Sequence, residues 1–241
     1  MRFYCENIEP GPITLSTEES RHLAVLRLKP GDTLELFDGS GTIASARLLE
    51  LKKNSASVLV ESIHPVEHRS RKIIIASSFA KGERFDWLTA KCVELGVDHI
   101  CPILFGRTVK LGKDNSAGRL RNIAISAAKQ SGNIILPQID PPLPLADAFE
   151  SLSALYPDAT TIFGSPAQDS QSVLTFAQTI APLKYVIAFI GPEGGLTDSE
   201  EEFLIARAAI PLRITSSILR IETAALALAS ILCAARDNLT R

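Results

Sequence analysis

The stretch of this chain best suited to hold a small molecule is Gly191-Pro192-Glu193-Gly194-Gly195. The run Tyr185 to Ile190 precedes it, apolar without alternation, as in a strand covered on both faces. Thr197 stands three residues before Glu200, a capping box that opens a helix with an acidic first turn. Strand, glycine-rich loop and helix start form the usual seat of a nucleotide-like ligand in an open α/β sheet. The loop is not GxGxxG and holds no Lys-Ser/Thr pair for a phosphate-bound metal. Glu193 lies inside it, and Asp198, Glu200, Glu201 and Glu202 crowd the helix start. Those carboxylates repel a pyrophosphate and suit hydroxyls, an adenine edge or a positive charge. S-adenosylmethionine offers all three and carries no phosphate. Taken alone, such a loop is more often a tight turn that merely joins strand to helix.

A second chemistry is written in the basic side chains. Residues 72–135 hold ten basic and five acidic groups, +5, whereas residues 136–241 hold six and twelve, −6. Arg107, Lys110, Lys113, Arg119 and Arg121 make the densest positive stretch, which fits an anionic partner such as an RNA backbone. A solvated face would look the same.

The rest of the composition narrows the class. Hydrophobic residues at 46% and charged residues at 22% read as an ordinary globular protein of one or two domains. No apolar run is long enough for a bilayer, and MRFYCENIEP has no signal-peptide core. Cys5, Cys92, Cys101 and Cys233 form no CxxC pair, and His22, His64, His68 and His99 have no ligand spacing. Reduced thiols, a cytoplasmic location and no metal site are therefore expected.

Residues 1–68 read as a small, mainly β unit. A strand is expected at Arg2–Cys5, a helix from Glu18 to about Leu28 capped by Thr17, and strands at Thr33–Phe37, Ile43–Leu51 and Ser55–Ile63. Asp38-Gly39-Ser40-Gly41 is a hairpin signal. The polar run His64–Arg71 is the expected linker. Strands at 72–80, 99–105, 160–163, 185–190 and 211–215 then alternate with helices at 83–95, 116–131, 145–155, 172–180 and 223–238. That alternation predicts a mainly parallel sheet. The last helix is nearly all apolar through Cys233, suiting a core or an oligomer contact.

Several segments together resemble the RsmE family of ribosomal RNA methyltransferases, of the SPOUT superfamily. They are Phe37–Gly41, Lys81-Gly82-Glu83-Arg84, Glu94–Val97, Ala128–Gly132, Ile190–Leu196 and Ile218–Leu226, in family order over nearly the whole chain. The resemblance implies an α/β SPOUT trefoil-knot methyltransferase domain at 72–241 and a small PUA-like β-barrel RNA-binding domain at 1–68. No sequence argument of this kind would propose a knot unaided, because true knots are so rare. It also implies methylation of N3 of a uridine in 16S rRNA of the small ribosomal subunit, with S-adenosylmethionine, by a homodimer. The implied cofactor loops hold Phe163 and Gly164, then Ile190, Gly191, Pro192, Glu193, Gly194 and Gly195, and then Ser217, Ile218, Leu219, Arg220, Thr223 and Ala224. The chain departs from the family pattern at Asn133 and at Ser216-Ser217.

Uridine N3 is a poor nucleophile until its proton leaves, so the reaction calls for a base or for cations facing O2 and O4. Arg220 is the candidate for charge stabilisation. Glu222 and Glu193 are candidate bases, and either could instead brace the loops. Two other classes remain open: a Rossmann-type enzyme, disfavoured by the acidic lysine-free loop, and a non-catalytic RNA-binding adaptor.

Overall fold

The structure, a computed structural model, describes residues 1–80, 82–108 and 116–238. The chain divides into two units: residues 1–68 with 125–136, and residues 69–124 with 137–241. The boundary between them thus falls inside a helix as well as near the polar linker.

In the first unit β1 (Arg2–Tyr4), β2 (Gly11–Leu15), β3 (Thr33–Phe37), β4 (Thr42–Lys52) and β5 (Ser55–Pro65) form a sheet of order β1-β3-β4-β5-β2. Only β1–β3 is parallel among these pairs. Leu34 and Leu36 of β3, Ala44, Ala46 and Leu48 of β4, and Ala56, Val58 and Val60 of β5 alternate into one core with Phe3 and Leu23. The hairpin forms where Asp38 Oδ1 accepts the amides of Ser40 (2.7 Å) and Thr42 (2.9 Å). Helix α1 (Thr17–Val25) is capped by Ser16, whose Oγ accepts the Glu19 amide at 3.2 Å; the expected cap, Thr17, is the first helical residue instead. Buried Glu19 receives the Lys129 ammonium at 2.6 Å, so residues 125–136 supply the charge that this carboxylate needs.

In the second unit the strands are β6 (Lys72–Ser78), β7 (His99–Leu104), β8 (Gln138–Ile139), β9 (Leu143–Pro144), β10 (Thr160–Gly164), β11 (Gln171–Ser172), β12 (Tyr185–Ile190) and β13 (Ile210–Arg213). Among the described residues they pair only in parallel, in the order β11-β13-β10-β12-β6-β7-β8, with β9 beside β7. Parallel pairing demands crossovers, and helices supply most of them. The crossover helices are α2 (Glu83–Leu95), α3 (Ser116–Ser131), α4 (Leu145–Leu155), α5 (Val173–Ala177) and α6 (Asp198–Ile205), and α7 (Ile221–Asn238) follows the last strand. Side chains of α2, α5 and α7 cover one face of the sheet and those of α4 and α6 the other. Strand β12 shows why its sequence lacks alternation. Val186, Ala188 and Ile190 enter the first core, Ile187 and Phe189 the second.

Helix α7 starts at Ile221, two residues earlier than expected, and buries Ile221, Ala225, Leu228, Ala229 and Leu232 in the first core. Its far end is held by Arg236, which donates to Gly96 O (3.0 Å) and Asp98 Oδ2 (2.7 Å). Burial pushes the Asp98 carboxyl above its ordinary range, against the pull of the Ile73 amide and the Arg236 guanidinium. His99, without ligand spacing in the sequence, is wholly buried between Asp140 (2.8 Å) and the Tyr156 hydroxyl (3.0 Å). No helix of the described residues is long and apolar enough to cross a membrane.

Candidate functional site

The register of the sheet brings three strand ends together. Phe163 of β10 lies opposite Phe189 of β12 on one side, and Gly164 lies opposite Leu212 of β13 on the other. All three strands run the same way, so the loops after them leave from one edge, where open α/β sheets bind ligands. They enclose a cavity of about 370 Å³.

Phe163 and Gly164 line it from β10. Ile190 to Gly195 line it from β12, with Glu193 among them, and Ser217, Ile218, Leu219 and Ala224 complete it. Arg220 and Thr223 do not line it; both are exposed beside it at the start of α7. Sequence reading missed Ser165, Pro166, Leu196, Glu201, Ile214 and Thr215. For Glu201 the signal existed, since it belongs to the acidic helix start.

The glycines have distinct reasons. A Cβ on Gly164 would meet nothing within 4 Å, so any side chain there would project into open cavity space. A Cβ on Gly191 would approach Leu196 Cδ2 to 2.9 Å, so the Leu196 side chain would have to shift to admit one. Gly195 has φ +75°, the left-handed region.

The loop is strapped from outside. Arg107 Nη1 donates to Gly194 O at 2.7 Å and Leu196 O at 3.1 Å. The Gly106 amide donates to Glu200 Oε1 at 2.6 Å. Glu200 Oε2 accepts the Thr197 amide at 2.8 Å, while Thr197 Oγ1 accepts the Glu200 amide at 3.3 Å. The expected capping box thus forms, and it also ties the loop after β7 to the loop after β12. From α2, Arg84 Nη2 donates to Glu193 Oε1 at 2.8 Å, and its Nε stands 3.6 Å from Glu222 Oε2.

The residues expected at RNA fall in several environments. Arg107 turns Nη1 to the loop carbonyls and is itself exposed. Arg119 donates to Asp86 Oδ2 of α2 at 2.9 Å, and Arg121 is exposed on α3. Lys110 and Lys113 lie outside the described residues.

These residues fit a phosphate-free, positively charged adenosine derivative. Glu193 and Glu201 line the cavity, and among the described residues no lysine or arginine does. Ile190, Ile214, Leu219 and Ala224 give it apolar surface, and the glycines let backbone polar groups approach a ligand closely. The family described as "RNA methyltransferase domain" matches residues 67–233. The chain belongs to this RNA methyltransferase family. A second family, "RNA methyltransferase PUA domain", matches residues 15–61.

Relatives extend the match over nearly the whole length. Ribosomal RNA small subunit methyltransferase E of a Synechocystis species is 31% identical over 91% of this chain and 72% of that protein. The Bacillus subtilis protein of the same name is 28% identical over 92% of this chain and 90% of its own. Among solved structures, ribosomal RNA small subunit methyltransferase E of Neisseria gonorrhoeae, bound to S-adenosyl methionine, superimposes with a TM-score of 0.83 at 30% identity. That match covers 95% of this chain and 94% of that one. The fold of this RNA methyltransferase is the α/β SPOUT trefoil-knot class with a PUA-like first domain.

Proposed function

We propose that this chain transfers a methyl group from S-adenosylmethionine to N3 of a uridine in the 16S rRNA of the small ribosomal subunit. It acts in the cytoplasm as a homodimer, with residues 1–68 as the RNA-binding PUA-like domain and 72–241 as the methyltransferase domain. One observation carries the reading: the neighbouring ends of β10, β12 and β13 close a single cavity edged by carboxylates and floored by glycine. The names of the relatives and the ligand of the Neisseria structure support the substrate and the donor.

Phe163, Gly164, Ile190 to Gly195, Ser217, Ile218, Leu219 and Ala224 would hold the donor, with Thr223 beside them. Bound there, it supplies an electrophilic methyl group on a sulfonium. The strapped loop fixes the backbone along one side of the cavity, so positioning would supply much of the rate. Arg220 makes no side-chain hydrogen bond or ion pair among the described residues and is exposed. Its guanidinium is therefore available to the charge that develops on O2 and O4 as the N3 proton leaves. Glu222 or Glu193 takes that proton. Arg107, Lys110, Lys113, Arg119 and Arg121 lie in the segment that meets the RNA backbone.

The test is to incubate the purified protein with labelled donor and small subunits from a methylation-deficient strain, then map the label. Label on one uridine of the small-subunit RNA is the expected result. Labelled protein-free controls alone, or RNA binding without transfer, would replace the enzyme by an adaptor.

A further inference from the structure

We propose that Arg84 is a positioning residue of this site. Its one guanidinium ties the glycine-rich loop, through Glu193, to the first turn of α7, through Glu222, and so fixes Glu193, which lines the donor cavity, relative to Glu222, which does not. The inference rests on the function proposed above and adds a residue to which no role in the site has been given.

The placement of Arg84 is locally unfavourable. It is the second residue of α2, whose amide end repels a cation, and Gly82 before the helix provides no side-chain cap. A charge kept against that field is explained by partners elsewhere in the fold, and two are present. Nη2 donates to Glu193 Oε1 at 2.8 Å, a charge-assisted hydrogen bond across 109 residues of sequence. Nε faces Glu222 Oε2 at 3.6 Å.

That second contact separates a clamp from a surface arginine. Arg84 Nε and Glu222 Oε2 are both closed off from solvent, and neither has a hydrogen-bond partner among the described residues. Two opposite charges left unsatisfied side by side cost stability unless they serve each other. A shift of about 0.7 Å would turn the ion pair into a second charge-assisted hydrogen bond. Catalytic contacts commonly stand long in the free enzyme and tighten in the complex. The fork geometry of arginine allows both bonds at once, and a lysine ammonium on a single stem does not reproduce it. The Glu193 end is half-exposed and the Glu222 end nearly buried, with 14% of its side chain exposed. The clamp thus runs from the cavity rim into the packed start of α7.

Arg84→Ala and Arg84→Lys are compared with wild type at saturating donor, alone and combined with Glu222→Gln. Arg84→Ala is expected to lower kcat about 100-fold, as misplacement of reacting groups does, while KM for small subunits moves less than about threefold. Arg84→Lys should recover at most about a tenth of the lost rate. Adding Glu222→Gln to Arg84→Ala should cost far less than it does in wild type, because the two act as one unit. A kcat within about threefold of wild type, or fully additive losses, would overturn the proposal. Amide hydrogen exchange provides a readout independent of activity. In Arg84→Ala, residues 191–196 and 221–224 should exchange faster while β12 stays protected. Unchanged exchange at both segments removes the tie even if the protein methylates some other substrate. Loss of labelling in wild type, with the exchange result intact, would instead remove the substrate and leave the clamp.

Discussion

Two walls of one cavity are built in opposite ways. The wall after β12 is held by Arg107, Arg84 and the capping box of α6, on three sides of one short loop. The wall after β13 is held by little. Thr215 Oγ1 donates to Ser217 O at 2.9 Å and accepts the Ser217 amide at 3.2 Å. Among the described residues, no other side-chain hydrogen bond fixes residues 214–220, and Ile218 is 83% exposed. A pre-organised wall loses little entropy when a ligand arrives, and an open wall is free to meet a second, larger substrate. The first wall is thus fixed before the donor arrives, whereas the second lines the same cavity and stays open at its rim; we propose that this open rim meets the nucleic acid.

The sharpest way to break that division is Arg220→Ala. If Arg220, outside the cavity lining, serves transfer and not donor binding, kcat falls roughly 100- to 1000-fold while calorimetry shows donor affinity within about threefold of wild type. An equal fall in affinity would make the two walls alike. Gly191→Val attacks the strapped wall, where the new side chain collides with Leu196. Because Leu196 lines the cavity, its displacement should lower donor affinity roughly 10- to 100-fold, read by calorimetry. Arg107→Ala removes two hydrogen bonds to loop carbonyls, and a donor affinity about tenfold weaker is expected. The same variant sharpens the comparison through salt. If Arg107 also contacts a phosphate, as proposed, the variant lowers the salt slope of RNA binding by about one; an unchanged slope would confine Arg107 to the loop. The smallest effect belongs to Ile218→Ser, which should change unfolding free energy by no more than about 0.5 kcal/mol in a denaturant melt.

Much of this site is legible in one dimension. An unalternating run followed by glycines and a Thr-x-x-Glu box places β12, its loop and α6 because each signal is local. Strand β2 was not legible. It contains Pro12 and lies at the sheet edge, where a missing amide is tolerated, so its sequence lacks a strand signature. The connector Pro137–Pro144 hides β8 and β9 for a similar reason: two residues cannot display a period. Arginine roles were the least legible. Sequence shows the sign of a charge and not its partner, so Arg107 reads as a phosphate ligand although its guanidinium grips Gly194 and Leu196. Arg84 belongs to a recognised segment, yet nothing near it in sequence points to Glu193 or Glu222.

The helix α3 has a consequence for how this protein can be divided. Its last turns, through residue 136 with the chain that follows them, are counted with the amino-terminal sheet, and there Lys129 neutralises a carboxylate shut away from water. A fragment stopped at His68 would keep Glu19 and lose its counter-ion, so a cut at the obvious linker severs what the fold requires. A recombination event that exchanged only the leading segment would leave a stranded anion at the seam.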